Sequence, residues 1–259
     1  MNHNKSYNIG SNSLRYSLSR INYRLFGVLV LMGLLPTLYT TIRIRFLGDL
    51  PGDWGYNIAS QLTWLNVTYE VVHEALMLPM FFLVGRFLSD RKRFSGIVSN
   101  GLLLVGALYA VLSIITVSFA RPMVVFMAQR SDLIGATITY IRLEAIALVF
   151  VAVVRYFTLI LIILKRGIYL VVVLGLQAAM SVVLDTLFIS ALPFSLQFGV
   201  NGIAYTNIIV NGVLIAVLLF MLRRESVGLF GKDFTFDTAW LSDWFRIGGL
   251  SGLESFVRN

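Results

Sequence analysis

The 259-residue chain has no cysteine. That excludes disulfides, thiolate nucleophiles and cysteine-ligated metal or iron–sulfur centres. Charge is scarce as well: Asp, Glu, Lys and Arg make up 13% of the residues, against about 25% in a soluble domain. Histidine occurs twice, as His3 and His73, too far apart in sequence to form a metal-spaced pair. No phosphate-cradling loop precedes a lysine. Gly249-Leu250-Ser251-Gly252 has the look of a nucleophile elbow but no strand before it. The reading is therefore of a protein that is not an enzyme and holds no cofactor. What is abundant is apolar surface, with 58% of residues hydrophobic. A core of this size cannot hide so much of it, which rules out a soluble globular domain, a disordered chain and a secreted disulfide scaffold.

The apolar residues fall into runs long enough to cross a bilayer, which takes about 20 residues per helix. Leu25–Ile42 carries no charge before Arg43. Trp54–Gly85 carries only Glu70, His73 and Glu74, and Phe94–Ala120 is charge-free. Leu143–Leu164 holds Glu144 and Arg155. Gly167–Leu222 is too long for one helix and holds only Asp185; the stretch from Ala191 to Gly199, with Pro193 in it, reads as a turn. It divides the run into spans at about 168–190 and 200–222. Trp244 onward reads as the start of a seventh span. The expected architecture is an all-α membrane protein. It has a cytoplasmic tail (1–24), a six-helix bundle (25–222), a cytoplasmic linker (223–243) and the first residues of helix seven (244–259). Pro36 is expected to bend the first helix by deleting a backbone hydrogen bond. The basic tail before an apolar run has some features of a signal peptide, but the run is too long and lacks a small-residue cleavage site.

Orientation follows from lysine and arginine counts in alternate loops. The tail and the segments after spans two, four and six hold 13; the opposite loops and outer helix ends hold five. The N-terminus is thus expected to be cytoplasmic, and in such a protein the net charge of +8 reports orientation and not nucleic-acid binding.

Ionisable groups at bilayer depth are costly, and they mark either function or internal ion pairs that fix helix packing. A rise of 1.5 Å per residue gives rough depths from the cytoplasmic ends of about 15 Å for Arg155, about 18 Å for Glu74 and about 24–27 Å for Glu70, Asp185 and Arg43. These estimates form two layers: a midplane layer in which Glu74 would meet Arg155, and a layer nearer the outside gathering Glu70, Asp185 and Arg43. Glu70 is the second candidate partner for Arg155. In span two Asn66, Glu70, His73 and Glu74 are spaced at three and four residues and share one face. Two carboxylates a turn apart repel, and a histidine between them can share a proton, as a cation-coupled site requires. In span four Glu144 and Arg155 are eleven residues apart and also share a face. Arg142, at the outer end, is expected to snorkel.

Several segments resemble the MATE family, the multidrug and toxic compound extrusion transporters. TYIRLEAIALVF (139–150) looks like the opening of that family's fourth helix. SVVLDTLFI (181–189) followed by FGVNGIAYTNIIVNGV (198–213) is similar to its helix five–helix six hairpin. LLFMLRRE (218–225) and WFRIGGLSG (244–252) resemble the end of helix six and the beginning of helix seven; PTLYTTIRIRFLGDL (36–50) and LVGRFLSDRKRF (83–94) match more weakly upstream. The resemblance implies twelve helices in two lobes, this chain supplying the N-terminal lobe, with the C-terminal lobe missing. It places Asp185 on the helix-five acid, Ser181 where a partner asparagine stands, and Arg43 where helix one often has an acid. It places Tyr140 on a helix-four tyrosine and Asn207 where helix six has a threonine. The helix-seven start has Leu250 in place of the usual proline.

The implied function is a multi-pass antiporter of a bacterial or archaeal plasma membrane, surrounded by lipid. It would be driven by H+ or Na+ and would export small amphipathic or cationic organic compounds. Glu70, His73, Glu74 and Asp185 are the coupling candidates. Arg43, Asn66, Tyr140, Glu144, Arg155, Ser181 and Asn207 are supporting or cavity-lining. The alternatives are a flippase for lipid-linked glycans and a half-transporter or scaffold that needs a partner subunit.

Overall fold

The computed structural model describes residues 23–49 and 54–231, and beyond them 240–242, 244–247, 254 and 257. The N-terminal tail before Tyr23 and most of the segment after Gly231 lie outside the described residues. Seven helices follow one another: α1 (Tyr23–Gly48), α2 (Trp54–Ser60), α3 (Thr63–Gly85), α4 (Arg91–Phe126), α5 (Ile134–Ile163), α6 (Gly167–Phe188) and α7 (Asn201–Arg224). Six of the resulting segments are long and apolar enough to cross a membrane, with α2 and α3 forming one span, Gly55–Gly85. Trp240–Ser242 and Trp244–Ile247 are also helical, as expected for the beginning of a further helix.

The helices outrun the charge-free stretches. α4 takes in Arg91–Arg93 at one end and Arg121–Phe126 at the other, because a helix can continue past the hydrocarbon layer into the headgroups. Asp90 caps α4 by accepting the Arg93 N–H at 3.1 Å. The second span is not one unbroken helix. It breaks at Gln61-Leu62, a feature without a Gly or Pro to announce it. Pro36, Pro79 and Pro122 all lie inside helices. Beside Pro36, whose missing N–H leaves the Met32 carbonyl without its helical donor, the Thr37 hydroxyl donates to the neighbouring Gly33 carbonyl at 3.1 Å.

α5 is the central post. It packs against α4, α7, α3 and α6, while α1 lies along α6 and α6 along α7. The α4–α5 seam is close because Gly101 has no side chain. A Cβ there would run into the Tyr156 ring, whose hydroxyl donates to the Val98 carbonyl at 2.8 Å. The seam thereby satisfies a buried hydroxyl while bringing two backbones together. Polarity is distributed as in a membrane protein. On α4, Val111, Ile114, Ile115 and Phe119 point outward, while Tyr109, Ser113 and Thr116 are buried.

Candidate functional site

Two polar clusters lie within the spans, each including a side chain of α5. The first joins four helices. Arg43 of α1 grips Asp185 of α6 with both arms of its guanidinium, Nε to Oδ2 at 2.7 Å and Nη2 to Oδ1 at 3.2 Å. The same Nη2 donates to Asn207 Oδ1 on α7 at 3.2 Å. Since that amide oxygen faces a cation, its NH2 points the other way and donates to Glu144 Oε1 on α5 at 2.6 Å. Asn211 steadies the strut by donating from Nδ2 to the Asn207 carbonyl at 2.7 Å. Asp185 and Glu144 are almost wholly buried, 1% and 6% exposed, as are Tyr140 and Ser181. Ser181 stands one turn before Asp185. The pairing of Arg43 with Asp185, expected from their depths, is the geometry observed.

The second cluster holds one of the two pairings expected for Arg155, although it differs from the expected layering. Arg155 Nη1 donates to Glu70 Oε2 at 3.0 Å, so Glu70 belongs with Arg155 and not in the layer of Asp185 and Arg43. Depth counts assume untilted helices, and the difference of about 9 Å between the counted depths of Glu70 and Arg155 is what tilt and a long guanidinium stem absorb. Glu144 and Arg155, expected on one face of α5, serve different neighbours: Glu144 meets α7 and Arg155 meets α3. Helices that cross at an angle change partners within three turns. Arg142 donates from Nε to the Val117 carbonyl on α4 at 3.2 Å while remaining exposed, so it does not only reach outward.

The Arg155–Glu70 pair lines a cavity of about 310 Å³ together with Asn66, Tyr69, Tyr109 and Leu148. Each charged side chain of the pair is 46% exposed, in contrast to the sealed first cluster. Tyr69 is fixed by a 3.0 Å hydrogen bond between its hydroxyl and that of Thr116. Farther along α3 a larger cavity, about 550 Å³, is lined by His73, Glu74, Met77, Phe81, Phe82 and Glu254 among others. His73 Nδ1 is buried with no hydrogen-bond partner among the described residues. The span-two stripe is thus shared between two cavities, Asn66 and Glu70 in one and His73 and Glu74 in the other. Phe81, Phe82 and Glu254 were not expected here. Apolar residues in an apolar run carry no contrast, and Glu254 reaches the cavity from 180 residues farther along the chain.

At the proposed cytoplasmic end a third set of contacts fastens the segment after α7. Arg166 pairs with Glu225 at 2.6 Å, Arg91 donates to the Glu225 carbonyl at 2.7 Å, and the Gly228 and Phe230 N–H groups donate to Ser95 and Ser99 on α4.

No family model and no curated protein sequence matches the chain. Solved structures do. A MATE transporter crystallised with MaD3S superposes with a TM-score of 0.79 over 90% of this chain and 52% of its own, at 20% identity. The Vibrio cholerae MATE transporter VcmN in the bent form gives 0.80, 91%, 54% and 14%. A MOP superfamily transporter from Pyrococcus furiosus, described as having a binding pocket of reverse polarity, gives 0.78, 90%, 52% and 18%. The fold is that of one lobe of a MATE transporter. The chain spans about half the length of these MATE-fold structures, as a single lobe should. Six apolar helices in this fold make it an integral membrane protein. Among the described residues the MATE-like lobe offers no group of three or more His, Asp or Glu able to hold a metal ion.

Proposed function

We propose that this chain is the N-terminal lobe of a secondary transporter that exports amphipathic organic cations in exchange for H+ or Na+. The observation that carries the reading is the 550 Å³ cavity on a MATE-fold lobe. Among the described residues its lining is aromatic and aliphatic, together with His73 and the acids Glu74 and Glu254. Aromatic faces and carboxylates together are what a lipophilic cation binds, through the ring quadrupole and through charge. Met77 adds a flexible surface that can adapt to ligands of different shape.

Coupling is assigned to the α3 face. Asp185 is already neutralised by two hydrogen bonds from Arg43 and has no vacancy for an external cation. Glu70, His73 and Glu74 line open cavities where a proton can arrive from water. Glu70 released from Arg155, or His73 and Glu74 sharing a proton beside the substrate, would let cation and substrate compete for one surface, which is the minimum requirement of antiport.

The test is movement of a fluorescent lipophilic cation in proteoliposomes holding the whole transporter, under an imposed pH or sodium gradient. Gradient-driven transport is expected, weakened at least tenfold by Glu74→Gln combined with Glu254→Gln. Gradient-independent movement of a lipid-linked anionic glycan, with no transport of the dye, would favour the flippase reading that the Arg155 cavity suits.

A further inference from the structure

The Arg43 cluster contains one carboxylate too many. Arg43 and Asp185 cancel each other through a bidentate pair. Glu144 then brings a third charge into a site enclosed by α1, α5, α6 and α7. The carboxyl is buried, yet among the described residues it receives a single hydrogen bond, from Asn207 to Oε1. Its other oxygen, Oε2, is buried with no hydrogen-bond partner among the described residues. An ionised carboxylate in such a place would carry an uncompensated charge and an unsatisfied acceptor at once, and either alone is costly inside a bilayer.

The charged and titratable groups bearing on Glu144 are few. From α1 comes Arg43, from α6 Asp185, and on its own helix one turn earlier Tyr140. α7 offers the neutral amide of Asn207. α4 carries its charges at its ends, Arg91 to Arg93 and Arg121, and those of α3 line the cavities described above. Asn207 cannot turn to help. Its oxygen is held by Arg43, so it offers Glu144 its NH2 and nothing else. A sodium ion would need several oxygen ligands in a space where a guanidinium already stands, and like charges repel there.

We propose that Glu144 is a proton-binding site, with the proton on Oε2, and that Asp185 and Glu144 together hold one proton and one negative charge against the single charge of Arg43. Asn207 is the link between the two acids. If Asp185 loses its charge, Arg43 is met by Glu144 instead, and the proton leaves Glu144. This goes beyond the transport reading and does not rest on it, because it concerns a sealed cluster away from both cavities.

Infrared spectroscopy of the full-length protein in lipid bilayers tests it without any substrate. At neutral pH a protonated-carboxyl carbonyl band, sensitive to heavy water, is expected in the wild type and is lost in Glu144→Gln. Glutamine keeps the shape and the Oε1 acceptor, so this variant is expected to fold. The band is also expected to be lost in Asp185→Asn and to grow in Arg43→Leu, where both acids must hold protons. The proposal is overturned if wild type and Glu144→Gln do not differ in that region, or if sodium at constant pH removes the Glu144 band. Should Asp185→Asn fail to fold, the comparison of wild type with Glu144→Gln decides alone.

Discussion

Two arginine–carboxylate pairs in one small bundle differ in exposure, and their energetics are expected to differ with it. Arg43–Asp185 is sealed, with side-chain exposures of 12% and 1%. Breaking a buried pair by removing one partner forces the other either to stay charged without a partner or to be neutralised by a proton, at a cost of about 3–5 kcal/mol, whereas removing both partners is often tolerated. Arg43→Leu is therefore expected to depress the melting temperature in detergent more than Arg43→Leu combined with Asp185→Leu does. A double variant that melts below the single one would mean that the pair stabilises in its own right. Arg155–Glu70 is open to the cavity, and an exposed pair contributes about 1 kcal/mol or less. Glu70→Gln is accordingly expected to leave the melting temperature within a few degrees of wild type while altering transport. A large loss of stability in Glu70→Gln would make that pair structural, and the α3 face would lose its place in coupling.

At the scale of the helix, close approach is bought with glycine. Gly101 lets α4 lie against Tyr156 of α5. Gly101→Ala forces the ring or the helix to move, an overpacking cost of about 1–3 kcal/mol. The atom nearest the added methyl group is the tyrosine hydroxyl, so Tyr156→Phe is expected to restore part of the loss. That makes the double variant more stable than the sum of the singles predicts, as thermal unfolding of the four proteins would read. Equal, additive losses would place the contact elsewhere. The same scale shows what was legible in the sequence. Charges in apolar runs stand out, so Arg43, Asp185, Glu70, Glu144 and Arg155 were all visible as residues that are either functional or paired, and the six spans followed from run length. Which acid meets which arginine depends on tilt and crossing angle, which close a gap of about 9 Å between the counted depths of Glu70 and Arg155. The break at Gln61-Leu62 left no mark, since neither residue is a helix breaker. The orphan oxygen of Glu144 was also invisible, because it results from the way Arg43 orients Asn207.

At the scale of the whole molecule, helix order alone dictates sidedness. Six spans alternate direction, so the start of α1, the α3–α4, α5–α6 connections and the end of α7 share one end of the bundle. That end gathers Arg86, Arg91–Arg93, Lys165, Arg166, Arg223 and Arg224, and it is laced together by Arg91, Arg166 and Glu225. The opposite end includes the α6–α7 turn, where residues 189–200 contain no lysine or arginine. Basic residues near helix ends are retained on the cytoplasmic side during insertion, and few positive charges are carried across. The basic end is thus expected to be cytoplasmic, and the exposed Gln197 in the α6–α7 turn to lie outside. The absence of native cysteine makes the test clean. Single cysteines at Ser13 and at Gln197 are introduced into the full-length protein, and intact cells are treated with a membrane-impermeant maleimide. Position 197 is expected to label at once and position 13 only after the membrane is opened. Labelling of position 13 with protection of position 197 would invert the lobe. It would put the basic end outside and require the transport direction proposed here to be reversed.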